Sequence, residues 1–296
     1  MNLVSKGAIQ NLLKKYQIHP LKRLGQNFLI DKGVVRKIIK AANLKSEDIV
    51  LEIGPGIGVL TIELAKKAGK VIAIEKDPNL ARILNNELRI KNIKNVEIIQ
   101  GDILKIQKSK TEPVWTKGEM NAKHSATIKI QNSYKVVANL PYYITSPVIR
   151  KFLEEENSPK AMVLMVQKEV AQRICANPPD MSILSVSVQF YAEPKIIAFV
   201  SKKSFWPQSK VDSAIIKITP RKKWSRTVLD QLFFKVVKAG FSQPRKQLIN
   251  NLSKGLGLER EEVKSWLLKN NILPSQRAET LSVENWINLL QSCRIS

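Results

Sequence analysis

The chain has 296 residues, more than a typical single domain, and its hydrophobic fraction of 44% is ample for a packed core. Forty-nine Lys and Arg against 25 Asp and Glu give a formal net charge of +24, which indicates a polyanionic partner, either nucleic acid or an anionic membrane surface. Two distant cysteines and two histidines argue against a disulfide framework and a zinc site, and no apolar run reaches the ~18 residues that a membrane span needs.

The positive charge is concentrated at the two ends of the chain. Residues 1–45 hold ten Lys/Arg and one Asp, a net charge of +9, and residues 221–296 hold fourteen Lys/Arg and six Asp/Glu, a net charge of +8. A composition that is lysine-rich throughout is the alternative explanation. The N-terminus has no uninterrupted apolar segment, so no signal peptide is expected, and we predict a cytoplasmic protein without a metal or a membrane partner.

Strand and helix patterns alternate through the first two thirds of the chain. Short apolar runs predict strands, and the segments between them have helical periodicity at 59–68 and again from Pro78, which suits the first position of a helix. The predicted strands are residues 48–53, 71–75, 96–100, 136–138 and 161–166. This alternation predicts an α/β fold, a mostly parallel doubly wound sheet with helices on both faces. Residues 196–200 and 215–218 indicate two later strands, as an antiparallel hairpin at the sheet edge.

Residues 105–135 interrupt this pattern. The segment is polar, carries seven Lys against two Glu and has little periodicity, so we predict a mobile insertion. Within it, residues 127–131 (TIKIQ) alternate and are typical of a short strand in a hairpin.

A boundary is predicted at residues 220–223 (PRKK), beyond which the pattern becomes helical. The predicted helices are residues 227–239, 245–252, 259–270 and 283–291. We therefore expect a larger domain at 1–220, with a basic segment 1–23, and a small helical domain at 221–296.

Three features at strand ends favour a nucleotide-like cofactor. A glycine-rich turn at 54–58 (GPGIG) lets the backbone approach a ligand closely, and its spacing differs from the dinucleotide pattern. Glu75 ends the second strand, where a carboxylate can bind two ribose hydroxyls. Asp102 follows the third strand and could accept a hydrogen bond from an adenine amine. No Walker-type Lys follows the glycines, and the combination suits S-adenosylmethionine.

The segment Asn139-Leu140-Pro141-Tyr142-Tyr143 follows a predicted strand and is the strongest catalytic candidate. The Asn139 side-chain oxygen and the Leu140 backbone carbonyl can accept both protons of one amine, which makes its nitrogen nucleophilic. The Tyr142 ring can stack on the heterocycle that carries the amine, with Phe205 as the opposite wall. A polar turn with Pro in its usual place, and a core aromatic at 205, are the structural alternatives.

Several separated blocks, in the same order, resemble one known family, the ribosomal RNA adenine dimethyltransferases of the KsgA type. Besides the glycine turn, Glu75, Asp102 and the segment 139–143, the blocks are residues 24–29 (LGQNFL), 166–173 (VQKEVAQR), 205–207 (FWP), 210–213 (KVDS), 245–248 (RKQL), 277–279 (RAE) and 281–282 (LS).

This resemblance implies a Rossmann-like methyltransferase domain with a C-terminal helical domain. It further implies transfer of four methyl groups to two adjacent adenosines near the 3′ end of 16S rRNA, by a monomer that acts on the small ribosomal subunit. The implied cofactor-binding residues are Gln26, Asn27, Leu29, Gly54, Gly56, Glu75, Lys76, Asp102, Ile103 and Asn139. The implied catalytic residues are Asn139, Leu140, Pro141, Tyr142 and Phe205. The predicted RNA-binding residues are Arg23, Arg221, Lys222, Lys223, Arg245 and Lys246.

The chain departs from the family pattern at Ser209, where a proline is usual, at Pro244, where a basic residue is common, and in the length of the segment 105–135. Three alternative functions share parts of the pattern. They are a large-subunit rRNA dimethylase that confers antibiotic resistance, a non-catalytic ribosome-assembly or transcription factor, and a DNA adenine methyltransferase. Leu140 and the block 245–248 favour the small-subunit enzyme, and the intact segment 139–142 argues against the non-catalytic factor.

Overall fold

The computed structural model describes residues 4–21, 24–108, 127–128, 133–155, 157–221 and 228–292. Its strands are β1 Phe28–Leu29, β2 Ile49–Ile53, β3 Lys70–Glu75, β4 Val96–Gln100, β5 Gln107–Lys108, β6 Thr127–Ile128, β7 Tyr134–Asn139, β8 Ala161–Gln167, β9 Ala192–Val200, β10 Phe205–Trp206 and β11 Ser213–Pro220. Its helices are α1 Lys6–Lys15, α2 Lys32–Ala42, α3 Val59–Ala65, α4 Pro78–Ile90, α5 Thr145–Glu154, α6 Lys168–Ile174, α7 Ile183–Tyr191, α8 Val228–Gly240, α9 Leu248–Leu256, α10 Arg260–Lys269 and α11 Val283–Gln291.

A seven-stranded sheet organises the first of two compact units, which comprises Met1–Ala171 and Lys195–Pro220. The strand order is β4-β3-β2-β7-β8-β11-β9, with parallel pairing from β4 to β8 and β11 antiparallel to β8. The predicted α/β class is therefore confirmed. The strand order reverses between β2 and β7, and ligands bind at the carboxyl ends of the strands at such a switch point.

The predicted strands follow from their apolar runs. Both faces of β3 and β8 are buried, as expected of parallel strands covered by helices, and this explains why their sequences are continuously hydrophobic. The strands predicted at 196–200 and 215–218 lie within β9 and β11, which are neighbours at the sheet edge.

Two helices of this unit, α2 and α4, begin at acidic caps. The Asp31 carboxylate caps α2 by accepting from the N–H of Gly33 and of Val34, at 2.8 and 3.2 Å. Its other oxygen accepts from the Ser204 hydroxyl at 3.0 Å, which ties the start of α2 to the residue before β10. Asp77 caps α4 immediately before Pro78.

The predicted hairpin strand at 127–131 differs from the structure. Thr127–Ile128 pairs in parallel with Gln107–Lys108, whereas the strands of a hairpin are antiparallel. Alternation predicted a strand but carried no information on its partner. The rest of the predicted insertion between 109 and 132 lies outside the described residues.

The second compact unit is helical and comprises Gln172–Pro194 and Arg221–Ser296. Its core includes Phe190 of α7, whose ring stacks on Phe233 of α8 with centroids 3.9 Å apart, and the fully buried Trp286 of α11. The sequence-based boundary at 220 assigns residues 172–194 to the first domain, whereas the contacts group them with the helices. The apolar sequence of α7 explains this grouping, because its buried side chains need a hydrophobic partner. Within the described ranges, no helix is both long and apolar enough to span a membrane.

Candidate active site

A cavity of about 320 Å³ opens at the carboxyl ends of β2, β3, β4 and β7, within the first unit. Every residue that the sequence analysis named as cofactor-binding or catalytic lines this cavity. The residues are Gln26, Asn27, Leu29, Gly54, Gly56, Glu75, Lys76, Asp102, Ile103, Asn139, Leu140, Pro141, Tyr142 and Phe205. The parallel sheet brings together the residues that follow its strands, because these strands end at the same edge, whereas Gln26, Asn27, Leu29 and Phe205 belong to the segments of β1 and β10.

One wall of the cavity is a two-stranded pairing between distant segments. β1 and β10 are antiparallel, with Phe28 opposite Trp206 and Leu29 opposite Phe205. The Ile30 N–H extends the pairing by donating to the Ser204 carbonyl at 2.9 Å. The blocks 24–29 and 205–207, which the sequence presents separately, therefore form one structural element.

The glycine turn and Glu75 are hydrogen-bonded to each other. Glu75 Oε2 accepts from the Gly56 N–H at 2.9 Å, and Oε1 accepts from the Asp77 N–H at 2.8 Å. Burial raises the pKa of Glu75, although these two hydrogen bonds act against the rise. Gly56 has φ of +60°, and a Cβ there would lie 3.3 Å from the Phe28 ring. A carboxylate has about four lone-pair sites, so Glu75 can still accept from ligand hydroxyls.

A second carboxyl group, Glu52 at the end of β2, is buried beneath the glycine turn with only 1% of its surface exposed. Burial raises the pKa of Glu52 to about 8, an effect opposed by the Thr61 hydroxyl and increased by the Glu75 carboxylate. Its Oε2 and Thr61 Oγ1 are buried without a hydrogen bond of normal geometry in the described part of the chain. Glu52 is therefore largely neutral near pH 7. From its place in the sequence beside the glycine turn, Glu52 was not predicted as a site residue.

Asp102 is held at the far end of the cavity by a cation and a backbone amide. Its Oδ2 lies 2.9 Å from Lys76 Nζ, and its Oδ1 accepts from the Leu104 N–H at 3.0 Å. Partial burial acts to raise the pKa of Asp102, but these interactions outweigh it and place the pKa below the ordinary value of 3.8. Asp102 is an anionic acceptor, and Lys76 is its ion-pair partner.

The Gln26 side chain joins two parts of the cavity wall. Its oxygen accepts from the Leu21 N–H at 2.7 Å, and its nitrogen donates to Asp77 Oδ2 at 2.8 Å. Both polar atoms of the Gln26 side chain are thus hydrogen-bonded within the protein, and they connect the segment before β1 to the start of α4.

Asn139 ends β7 and has its amide oriented by the N-terminal segment. Its Nδ2 donates to the Asn27 carbonyl at 3.3 Å, which leaves Oδ1 to accept a hydrogen bond. The Leu140 N–H donates to the Met165 carbonyl of β8 at 3.2 Å, and Pro141 then turns the chain into a short 3-10 segment, Tyr142–Ile144. The two proposed acceptor oxygens therefore belong to consecutive residues on a backbone held by the sheet.

Two aromatic side chains complete this part of the cavity. Tyr142 is partly buried, and its hydroxyl lies 2.9 Å from Ser209 Oγ and 2.8 Å from Ser213 Oγ. Phe205 lines the cavity, is only 3% exposed and belongs to the hydrophobic core, and its role as the opposite wall for the heterocycle stays a prediction. No sequence signal identified the serines as partners of Tyr142.

The predicted RNA-binding residues do not line the cavity. Arg221, Arg245 and Lys246 are exposed on the second unit, the last two immediately before α9. Arg23, Lys222 and Lys223 lie outside the described residues. Among the residues with described positions, no group of three or more His, Cys, Asp and Glu side chains could hold a metal ion.

Comparison with known proteins gives consistent matches over nearly the whole chain. The family model described as ribosomal RNA adenine dimethylase matches residues 19–294. A protein of Dehalococcoides mccartyi strain 195 named ribosomal RNA small subunit methyltransferase A is 45% identical over 279 residues, which are 94% of this chain and 89% of that protein. A protein of the same name from Clostridioides difficile strain 630 is 42% identical and covers 96% and 94% of the two chains.

Two solved structures have the same fold at full length. A dimethyladenosine transferase from Plasmodium falciparum has a TM-score of 0.70 and 29% identity, covering 89% of this chain and 96% of its own. The 23S rRNA methyltransferase ErmE also has a TM-score of 0.70, with 25% identity and coverage of 90% and 99%. A solved structure named for 23S rRNA therefore shares this fold, whereas sequence identity is higher, at 42–45%, to the relatives named for the small subunit.

Proposed function

The chain belongs to the ribosomal RNA adenine dimethylase family, and we infer from this that it uses S-adenosylmethionine to dimethylate adenosines of small-subunit ribosomal RNA. The two adjacent adenosines near the 3′ end of 16S rRNA are the specific targets that we propose. The observation that carries the proposal is the position of Asn139, whose amide is oriented in the same cavity that holds Glu75 and Asp102.

The residues that line the cavity suit S-adenosylmethionine in the chemistry of their donors and acceptors. The glycines of the turn have no side chains that would keep a ligand away from the backbone. A side chain at Gly56 would also press against the Phe28 ring. Glu75, at the end of β3, suits the two ribose hydroxyls, and Asp102, at the end of β4, suits the adenine amine. When bound, the cofactor supplies an electrophilic methyl group.

The residues of segment 139–142 prepare the target amine. Asn139 Oδ1 and the Leu140 carbonyl accept its two protons, so the nitrogen lone pair leaves conjugation with the ring and points at the methyl group. The same two oxygens stabilise the positive charge that develops on nitrogen. Because both oxygens are fixed by the sheet and by Asn27, much of the acceleration comes from positioning.

Tyr142 and Phe205 form the aromatic surfaces that receive the adenine. A base paired and stacked in a duplex cannot reach this cavity, so the target nucleotide must be unstacked, as in a loop or at a helix end. An amine that has received one methyl group still has one proton and can react again in the same site.

RNA binding is assigned to the basic ends of the chain. The net charges of +9 at residues 1–45 and +8 at residues 221–296 suit contacts with many phosphates. We propose phosphate contacts for Arg23, Arg221, Lys222, Lys223, Arg245 and Lys246. We also propose that the enzyme is a monomer. We place it in the cytoplasm, where it would bind the small subunit during assembly.

A large-subunit target is the second candidate, because ErmE shares the fold over 90% of this chain. Labelled S-adenosylmethionine incubated with the protein and unmethylated ribosomal RNA, followed by nucleoside analysis, tests the reaction itself. N6,N6-dimethyladenosine is the expected product, and label in any other nucleoside would contradict the proposal.

A further inference from the structure

The hydroxyl of Tyr142 lies between two serine hydroxyls that belong to a different part of the chain. Ser209 Oγ is 2.9 Å from the Tyr142 oxygen and Ser213 Oγ is 2.8 Å from it. Both serines are buried, with 4% and 0% of their surface exposed. We refer to Ser209 and Ser213 as the serine pair.

The direction of these hydrogen bonds follows from the number of protons available. Ser209 Oγ donates its single proton to the Val211 carbonyl at 2.9 Å, so it must act as the acceptor toward Tyr142. Tyr142 then donates to Ser209 and has its lone pairs left to accept from Ser213. The hydrogen bonds thus run in one direction, from Ser213 to Tyr142, to Ser209 and to the Val211 carbonyl.

The serine pair is anchored to rigid backbone. Ser213 is the first residue of β11 and lies opposite Gln167 of β8 in the antiparallel register. Ser209 accepts a longer hydrogen bond from the Val211 N–H at 3.4 Å while donating to the carbonyl of the same residue, which closes a tight turn. Tyr142, by contrast, begins a short 3-10 segment and is partly exposed to the cavity.

We propose that Ser209, acting with Ser213, is a positioning residue that holds the Tyr142 ring in place as a wall for the target adenine. The inference rests on the proposed function, because it assigns the ring to the substrate base. A ring held at its hydroxyl end cannot tilt, and its tilt would move the amine relative to Asn139 and the methyl group. Small misplacements of reacting atoms are costly in rate.

The hydrogen bond to Tyr142 depends on the serine at position 209. The family pattern expects a proline at position 209, and proline has neither a hydroxyl nor a backbone N–H. Ser209 therefore supplies an anchor for Tyr142 that a proline could not supply.

The test is a double-mutant cycle on the full chain, with unmethylated small ribosomal subunits as substrate. Ser209→Ala and Tyr142→Phe each remove one end of the hydrogen bond, and Ser209→Thr keeps the hydroxyl. We expect each of the first two to lower kcat by roughly 3- to 10-fold, because the loss of this one hydrogen bond lets the ring shift and misplaces the amine. The double variant should be no slower than the slower single variant, because the two changes break the same bond. Ser209→Thr should retain activity near that of the unsubstituted protein.

Affinity for S-adenosylmethionine, measured by calorimetry, should stay within twofold in all these variants, since the serine pair is not part of the cofactor site. Ser185→Ala is the matched control, because it also removes a fully buried serine hydroxyl, one that donates to the Ser182 carbonyl at 2.8 Å in the second unit. It should leave kcat unchanged.

If the fold-loss of kcat in the double variant equals the product of the two single fold-losses, the positioning role is overturned. An unchanged kcat in Ser209→Ala would overturn it as well, and either result leaves the proposed function intact. If the Ser209→Ala protein does not fold, full activity of Tyr142→Phe would overturn the role equally. Failure of the unsubstituted protein to methylate small subunits, with cofactor binding intact, would instead reject the proposed function and this inference with it.

Discussion

The Asn139 side-chain amide donates a hydrogen bond to the backbone carbonyl of Asn27, 3.3 Å away and 112 residues earlier in the chain. This bond joins the carboxyl end of β7 to the segment before β1. It fixes which side of the Asn139 amide faces the cavity, so that Oδ1 is presented as an acceptor. The orientation of one side chain thus connects the N-terminal block of the sequence to the chemistry of the site.

Asn139→Ala should lower kcat by roughly 100- to 1000-fold, the usual cost of removing a group that stabilises charge in the transition state. Cofactor affinity, measured by calorimetry, should change far less. Asn95→Ala is a matched control, because the Asn95 amide also bonds backbone carbonyls, those of Ala65 and Ala68, but lies away from the cavity. A kcat for Asn139→Ala within threefold of the unsubstituted protein would remove Asn139 from the mechanism.

Glu75→Gln should weaken S-adenosylmethionine binding more than RNA binding. The carboxylate accepts two backbone N–H bonds and is proposed to accept two ribose hydroxyls, and hydrogen bonds to charged groups contribute about 1.5–3 kcal/mol each. We expect at least a tenfold loss of cofactor affinity by calorimetry. Glu63→Gln is the control and should bind normally, because Glu63 is a partly exposed residue of α3 that pairs with Lys66 and does not line the cavity. Equal affinities for the two variants would place the ribose elsewhere.

Glu52 should make the protein less stable as pH rises. Its pKa is raised from 4.5 to about 8 in the folded state, so its stabilising contribution is full below pH 4.5 and is lost as pH rises through 8. In this window the folded state holds the Glu52 proton that the unfolded state has released, which contributes a slope of up to about 1.4 kcal/mol per pH unit, and the raised pKa of Glu75 acts in the same direction. The acids whose pKa is lowered, such as Asp31 and Asp102, change the free energy of unfolding only at pH values below this range.

Glu52→Gln should flatten that dependence, because the amide does not titrate. Urea unfolding of the cofactor-free protein at pH 5, 6, 7 and 8 measures the effect. We expect the substituted protein to gain in relative stability toward pH 8. Parallel pH profiles for the two proteins would show that Glu52 is ionised in the folded state.

Charge reversal at Arg245 and Lys246 should weaken binding to small ribosomal subunits and flatten its salt dependence. Each lost phosphate contact should reduce the log–log salt slope by roughly 0.7–0.9. Charge reversal at Lys254 and Lys269 is the control. These two exposed lysines lie on the same unit and their reversal gives the same net charge, so the comparison separates the effect of position from the effect of total charge. Filter binding at several salt concentrations is the measurement, and equal losses in the two variants would show that net charge alone matters.

The strand ends of the site could be predicted because each is a local pattern. Each of these strands is an apolar run that ends at a recognisable residue: the glycine turn, Glu75 or Gly101-Asp102. Such a run predicts both the strand and the side chain at its end. Parallel strands then place these residues at one edge without further information. This is why Gly54, Gly56, Glu75, Asp102 and Asn139 line one cavity.

The features that sequence patterns missed depend on pairings between distant segments. β1 and β10 have two residues each, too few for any periodicity, and they meet only in the fold. In the sequence Glu52 is an ordinary polar residue of the turn motif, and its burial beside Thr61 of α3 is evident only in the fold. The grouping of α7 with the C-terminal helices likewise depends on contacts such as Phe190 with Phe233.

The most direct test of the central claim is a competition in which unmethylated small and large ribosomal subunits are mixed with the protein and labelled S-adenosylmethionine. The RNAs are then separated and the methylated positions mapped. We expect label to enter 16S rRNA as N6,N6-dimethyladenosine at two adjacent adenosines near its 3′ end, with about four methyl groups per subunit. Label in 23S rRNA instead, or no transfer by a protein that still binds the cofactor, would contradict it.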